Sequence, residues 1–191
     1  MPPLYLSKRN LSAVLLDTSM FIRYHNFPEE LCEHLGNPQI HHTDITIEEW
    51  QSSFMWHGIP NETAKGLTEK SLEKFNSSYL PEIPAVEIIA AEVEEYLGLA
   101  GIEIETESDK PDIETNDKRD ILTFTHGVAH GVDVVSNDRL FFPMGELFHT
   151  GIKTHVNIKS KSSIWIRQLQ AELAANGVGK VGTPIDLTHL L

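Results

Sequence analysis

Two short apolar runs, each stopping short of an acid, constrain this chain more than any other feature. LSAVLL (residues 11–16) ends at Asp17, and VDVV (residues 132–135) runs into Ser136-Asn137-Asp138. Aliphatic and β-branched residues over so few positions predict buried strands. Between the runs the period changes. The segment AVEIIAAEVEEYLGLA, after Pro84, carries Val86, Ile89, Ala90, Val93 and Leu97 at helical spacing. IWIRQLQAELAA follows Ser162-Ser163, either of which can cap it, and closes at Asn176-Gly177. Short strands alternating with amphipathic helices predict an α/β chain. The expected architecture is a three-layer α/β/α sandwich with a mostly parallel central sheet covered on both faces.

The remaining segments fit this plan. A helix is predicted from Phe27 to Leu35, stopped by Gly36-Asn37-Pro38, and another from Asn61 to Phe75. Strands are predicted from His41 to Ile47, over GIEIET (101–106) and around Val156 and Ile158. Residues 107–114 are acidic and carry Pro111, which predicts a loop. Asn116 or Asp117 can cap a helix reaching His130, closed by Gly131. No repeat or linker divides the chain. The expected organisation is one main domain over residues 1–160, with a C-terminal helix and tail (161–191) packed on it or extending it.

Composition narrows the setting. No run of eighteen apolar residues predicts a membrane span. The N-terminus lacks signal-peptide order, and the single cysteine, Cys32, leaves no internal disulfide. Both point to a cytoplasmic protein. The net charge of -13 argues against coating nucleic acid through charge alone. It leaves room for a nucleic-acid enzyme, because a divalent cation and a local basic patch reverse the field at one site.

Ligands in open parallel sheets bind outside the carboxyl ends of the strands. Asp17 and Asp138 follow two such ends. If the strands are neighbours, the carboxylates share one crevice, which a divalent cation makes tolerable. Hard oxygen ligands suit Mg2+ or Mn2+.

At these residues the chain resembles the PIN-domain nucleases. VLLDTSMFI resembles that family's opening strand, acid and small hydroxyl residue. DITIEEW resembles its second motif, and DILTFTHGVAHGVDVVSNDRLFF its third and fourth together. Eighteen positions separate Asp120 from Asp138, which suits one helix plus one strand. The resemblance spans residues 12–160 and implies a metal-dependent ribonuclease. Asp17, Asp120 and Asp138 would be metal ligands, with Glu49 the second acid. Glu48 competes with Glu49, since adjacent helical residues point about 100° apart. Asp117 lies one turn before Asp120 and could join or replace it. Thr18 and Ser136 would orient carboxylates or water.

By the same resemblance the substrate is RNA, and the products carry a 5′-phosphate and a 3′-hydroxyl. A narrow crevice favours a single strand. The toxin of a toxin–antitoxin pair is the context implied, with an antitoxin as partner and a homodimer as a further expectation. The alternative is a non-catalytic scaffold that binds nucleic acid or protein. A haloacid-dehalogenase-type phosphatase needs a second Asp two residues after the first, where this chain has Ser19.

Arg139, Lys153, Lys159 and Lys161 are the candidate backbone contacts for nucleic acid. The ten histidines include His41-His42, and the pair His126 and His130 one helical turn apart. No HExxH or Cys/His pattern supports zinc.

Overall fold

Val14, Leu15 and Leu16 alternate across the pleat. Leu15 enters one apolar cluster, while Val14 and Leu16 enter another. The next strand divides the same way, with Val134 on the side of Leu15 and Val135 on the other. Strands buried on both faces need helices on both, and that need organises the chain. The computed structural model describes residues 1–104 and 117–191.

The chain begins with β1 (Ala13–Leu16), α1 (Thr18–Tyr24), α2 (Pro28–Leu35), β2 (Gln39–His42) and α3 (Asp44–Trp56). It continues through α4 (Asn61–Lys74), β3 (Ser78–Tyr79) and α5 (Pro84–Leu99) to α6 (Asp117–His130) and β4 (Asp133–Ser136). Then come α7 (Phe141–Leu147), β5 (Phe148–His149), β6 (Thr154–Val156), α8 (Ser163–Ala175) and β7 (Ile185–Asp186), with a closing 3-10 turn at Thr188–Leu190. The central sheet has five strands in the order β3-β2-β1-β4-β6. Each neighbouring pair is parallel. The short strands β5 and β7 pair separately.

Helices α1 to α4 cover the face bearing Val14, Leu16 and Val135, through residues such as Phe21, Leu31, Trp50 and Leu72. Helices α5 to α8 cover the other, through Ile89, Phe124, Phe141 and Leu169. This is the three-layer α/β/α sandwich of a PIN-like fold. Helix α8 lends Ile166, Leu169 and Leu173 to the same cluster as Val134 and Val156. No helix among the described residues is long and apolar enough to cross a membrane.

Strand order locates the crevice. The chain builds outward from β1 through β2 to β3, then returns to add β4 and β6 on the opposite side. The direction reverses between β1 and β4, so the switch point lies outside their carboxyl ends. Val14, Leu15 and Leu16 register with Asp133, Val134 and Val135, and the Asp17 amide donates to the Val135 carbonyl at 3.0 Å.

Helix α6 lies close on this sheet because residue 127 is glycine. A Cβ there would stand 2.2 Å from Val134 Cγ2 and 3.0 Å from the Val132 carbonyl oxygen. Gly127→Ala is therefore expected to destabilise the protein by about 1–3 kcal/mol through overpacking. Urea unfolding would show it as a lower midpoint with an unchanged slope.

Some expectations meet corrections. The predicted strand from His41 to Ile47 stops at His42, and Asp44 opens α3. Thr43 is extended and forms a capping box with Thr46, so capping overrides the β-branched content of Ile45, Thr46 and Ile47. Ile102 to Ile104 belong to no strand; Ile102 and Ile104 pack against the core without a strand neighbour. The rest of that predicted strand, the acidic loop and the Asn116 cap lie outside the described residues. Helix α7 was not anticipated. Pro143 falls in its first turn, where proline is tolerated, and its buried Phe141, Phe142 and Met144 secure it.

Candidate functional site

Asp17 occupies the N-cap position of α1, yet its side chain makes no capping hydrogen bond. It turns instead into the crevice. Ser136 Oγ donates to Asp17 Oδ2 at 2.9 Å from the end of β4, and Ser19 Oγ donates to the same oxygen. Ser136 Oγ also accepts the Asp138 amide at 2.9 Å. One hydroxyl thus couples the two strand-end acids. Asp138 keeps a turn role as well: its Oδ1 accepts the Leu140 amide at 2.7 Å.

Glu49 reaches the crevice from α3. It is buried, and Thr18 Oγ1 donates to Glu49 Oε2. Glu48 points elsewhere: it is exposed and pairs with Arg119 at 4.0 Å. The roughly 100° turn between adjacent helical residues accounts for the difference. Asp120 lies in the first turn of α6, three residues after Asp117, the first residue of that helix.

The electrostatics record how close these groups are. Burial pushes the Asp120 carboxyl up to about 10, and repulsion from Asp17, Asp138, Glu49 and Asp117 adds to it. Burial raises Glu49 to about 7; the Thr18 hydrogen bond opposes this and Asp17 reinforces it. Asp17 is raised by burial against its bonds from Ser19 and Ser136, with Asp138 adding repulsion. Asp138 is raised by burial, opposed by the Leu140 amide. Caps on a protein surface do not repel one another this way.

The donor set suits a hard divalent cation by its chemistry: the carboxylates of Asp17, which is buried, and of half-buried Asp120 and Asp138 repel one another across the crevice. As the side chains stand, no group of three or more His, Cys, Asp and Glu among the described residues has a geometry that could hold a metal ion. Asp17, Glu49 and Asp138 are instead held by their hydroxyl and amide partners.

A polar network behind the crevice has little trace in the sequence. Asn157, just past β6, donates through Nδ2 to Asn137 Oδ1 at 2.7 Å and to the Tyr24 hydroxyl at 3.1 Å. Its Oδ1 accepts the Tyr5 amide at 2.6 Å. The Asn137 amide donates to Ser19 Oγ at 3.2 Å. Ser19 thus serves both the acid and the turn. The only sequence signal for it was its place two residues after Asp17; Asn157 gave none.

The basic residues separate. Lys159 and Lys161 are exposed and follow the carboxyl end of β6, on the crevice edge, and exposed Arg139 adjoins Asp138. Lys153 precedes β6 at the other edge, its amide donating to Asp133 Oδ1 at 2.9 Å, so it does not join them. The His126 and His130 rings stack 6.1 Å apart, and His130 Nε2 lies 2.8 Å from the Pro81 carbonyl oxygen. His126 is a buried core residue whose Nδ1 has no hydrogen-bond partner among the described residues; burial lowers it to about 4, so it stays neutral.

Solved structures share this fold. VapBC2 from Rickettsia felis, bound to a DNA fragment from its promoter, superposes with a TM-score of 0.53 over 75% of this chain and 98% of its own. DNA-bound VapBC from Salmonella typhimurium gives 0.52 over 78% and 100%. VapBC-5 from Mycobacterium tuberculosis, of the VapBC family of toxin–antitoxin systems, gives 0.51 over 76% and 98%. The fold is common to all of them. Identity is 15% in each case, so the likeness extends to the fold alone and the chemistry rests on the residues themselves. No family model and no curated protein matches the chain.

Proposed function

We propose that the protein is a metal-dependent endoribonuclease acting on single-stranded or structured RNA. The convergence of Asp17, Glu49, Asp120 and Asp138 at the switch point carries this reading: burial raises Asp120 to about 10, and repulsion from Asp17, Asp138 and Glu49 adds to it. Asp17, Asp120 and Asp138 would hold Mg2+ or Mn2+. When bound, such an ion lowers the pKa of a coordinated water and stabilises charge on the phosphate.

The chain's own groups do the positioning. Ser136 and Ser19 hold one Asp17 oxygen and so fix the carboxylate at the end of the strand. Thr18 steers Glu49 to orient the attacking water. The Asn157–Asn137 bond fixes the turn that carries Asp138. Asp117, one turn before Asp120, adds to the negative charge that would draw the cation. Likeness in fold to toxin–antitoxin proteins supports a toxin role, with an antitoxin protein as partner.

The test is cleavage of single-stranded RNA in Mg2+ or Mn2+ by the wild type beside Asp17→Asn and Asp138→Asn. The expected outcome is cleavage by the wild type alone. Equal cleavage by all three would sink the site. No cleavage, and no metal binding by calorimetry, would leave the non-catalytic scaffold.

A further inference from the structure

We infer that the rim formed by Lys159, Lys161 and Trp165 is a stacking platform for single-stranded nucleic acid, seating one strand beside the acidic crevice. This rests on the nuclease reading for its chemistry and adds where the bases lie. Three observations carry it.

The first is location. Asn157 bonds directly to Asn137 in the Asp138 turn. Lys159 is two residues further, within about 7 Å of backbone travel. The chain then passes Lys161 to Ser162, whose Oγ accepts the Trp165 amide at 3.2 Å. The second is aromatic exposure. Trp165 leaves 37% of its surface open, beside Ile164 at 70%. Its ring leans on Phe142, 6.3 Å between centroids and tilted 35°, and Phe142 follows Asp138 by four residues. One part of the indole is therefore fixed to the element that leaves the Asp138 turn while the rest meets solvent.

The third is charge. In a chain of net charge -13, Lys159 and Lys161 are exposed, with no ion-pair partner among the described residues. Exposed Arg139 stands on the same edge, next to Asp138. Cations tracking a backbone beside an aromatic surface are what a single strand needs, because every base has a π-face to stack. Bases paired within a duplex have no free face to offer.

The experiment is anisotropy of a fluorescein-labelled oligouridine with the full chain in EDTA, over a salt series. Trp165→Ala should weaken binding roughly five- to a hundredfold, and Trp165→Phe much less. Lys159→Ala with Lys161→Ala, both on exposed side chains, should flatten the logarithmic salt slope by about 1.4. A duplex of the same length should be indifferent to Trp165. The platform is overturned if the wild type does not bind the strand, or if Trp165→Ala and the lysine pair bind like the wild type. It is also overturned if Trp165→Ala instead converts a dimer to a monomer in sedimentation with binding unchanged, which makes the patch a contact between copies. Parallel digestion in Mg2+ separates the two readings. Cleavage that needs Asp17 but ignores Trp165 leaves the nuclease and removes the platform; binding that needs Trp165 without cleavage does the reverse.

Discussion

On the proposed nuclease reading, Asp17→Asn is expected to leave the fold in place and to lower RNA cleavage by more than ~100-fold, the upper end of what losing a supporting partner of a metal ligand costs. The fold survives because an amide oxygen accepts the Ser19 and Ser136 hydroxyls as a carboxylate does. The substitution also removes a buried charge that Asp138 and Asp120 repel. Activity does not survive, because the amide has no charge with which to hold a divalent cation. Ser136→Ala is the graded companion. It keeps both carboxylates but unties them from each other, so a loss of about 10–100-fold is expected. Single-turnover cleavage of a labelled strand, with circular dichroism to verify folding, reads both. A Ser136→Ala loss as large as that of Asp17→Asn would mean that positioning, not charge, is the main role of Asp17.

Asp120→Asn is expected to make the metal-free protein more stable near neutral pH. The sign follows from proton linkage. The folded carboxyl titrates near about 10, the unfolded one near the ordinary 3.8. Between those values the folded state holds a proton that the unfolded state has released. Stability therefore falls as pH rises through that window and is greatest below it. The asparagine variant escapes the penalty. A gain of about 1–3 kcal/mol is expected near neutral pH, or about 2–4 °C of melting temperature per kcal/mol at this chain length. The gap should close on acidification toward the ordinary carboxylate range. Thermal melts in EDTA across that pH range read it. Parallel wild-type and variant curves would remove the repulsion argument. Added Mg2+ should then raise the wild-type melting temperature more than that of the variant, since binding to the folded state alone stabilises it.

Part of this was legible in the residues. LSAVLL and VDVV announce buried strands because they are mostly aliphatic and place apolar residues on both faces, and helices must then cover both sides. The helix of Val86, Ile89, Val93 and Leu97 is legible because its stripe is local. Local chemistry misled at DITI, where a Thr43–Thr46 capping box outweighs β-branched composition. The aromatic run after Asp138 concealed a helix, since its burial depends on elements far along the chain.

What the residues determined alone was the order of acids and the alternation that calls for a parallel sheet. Both are properties of short windows: a strand's period, a helix's stripe, an acid after an apolar run. Tertiary structure decided the rest. That β1 and β4 are neighbours, with the switch point between them, follows from strand order. That Glu49 turns inward while Glu48 pairs with Arg119 follows from how α3 rolls on the sheet. That Ser136 ties Asp17 to Asp138, and Asn157 braces the turn behind them, depends on separations of 119 and 20 residues. Contacts of that span leave no periodic trace, because nothing local needs them until the sheet closes.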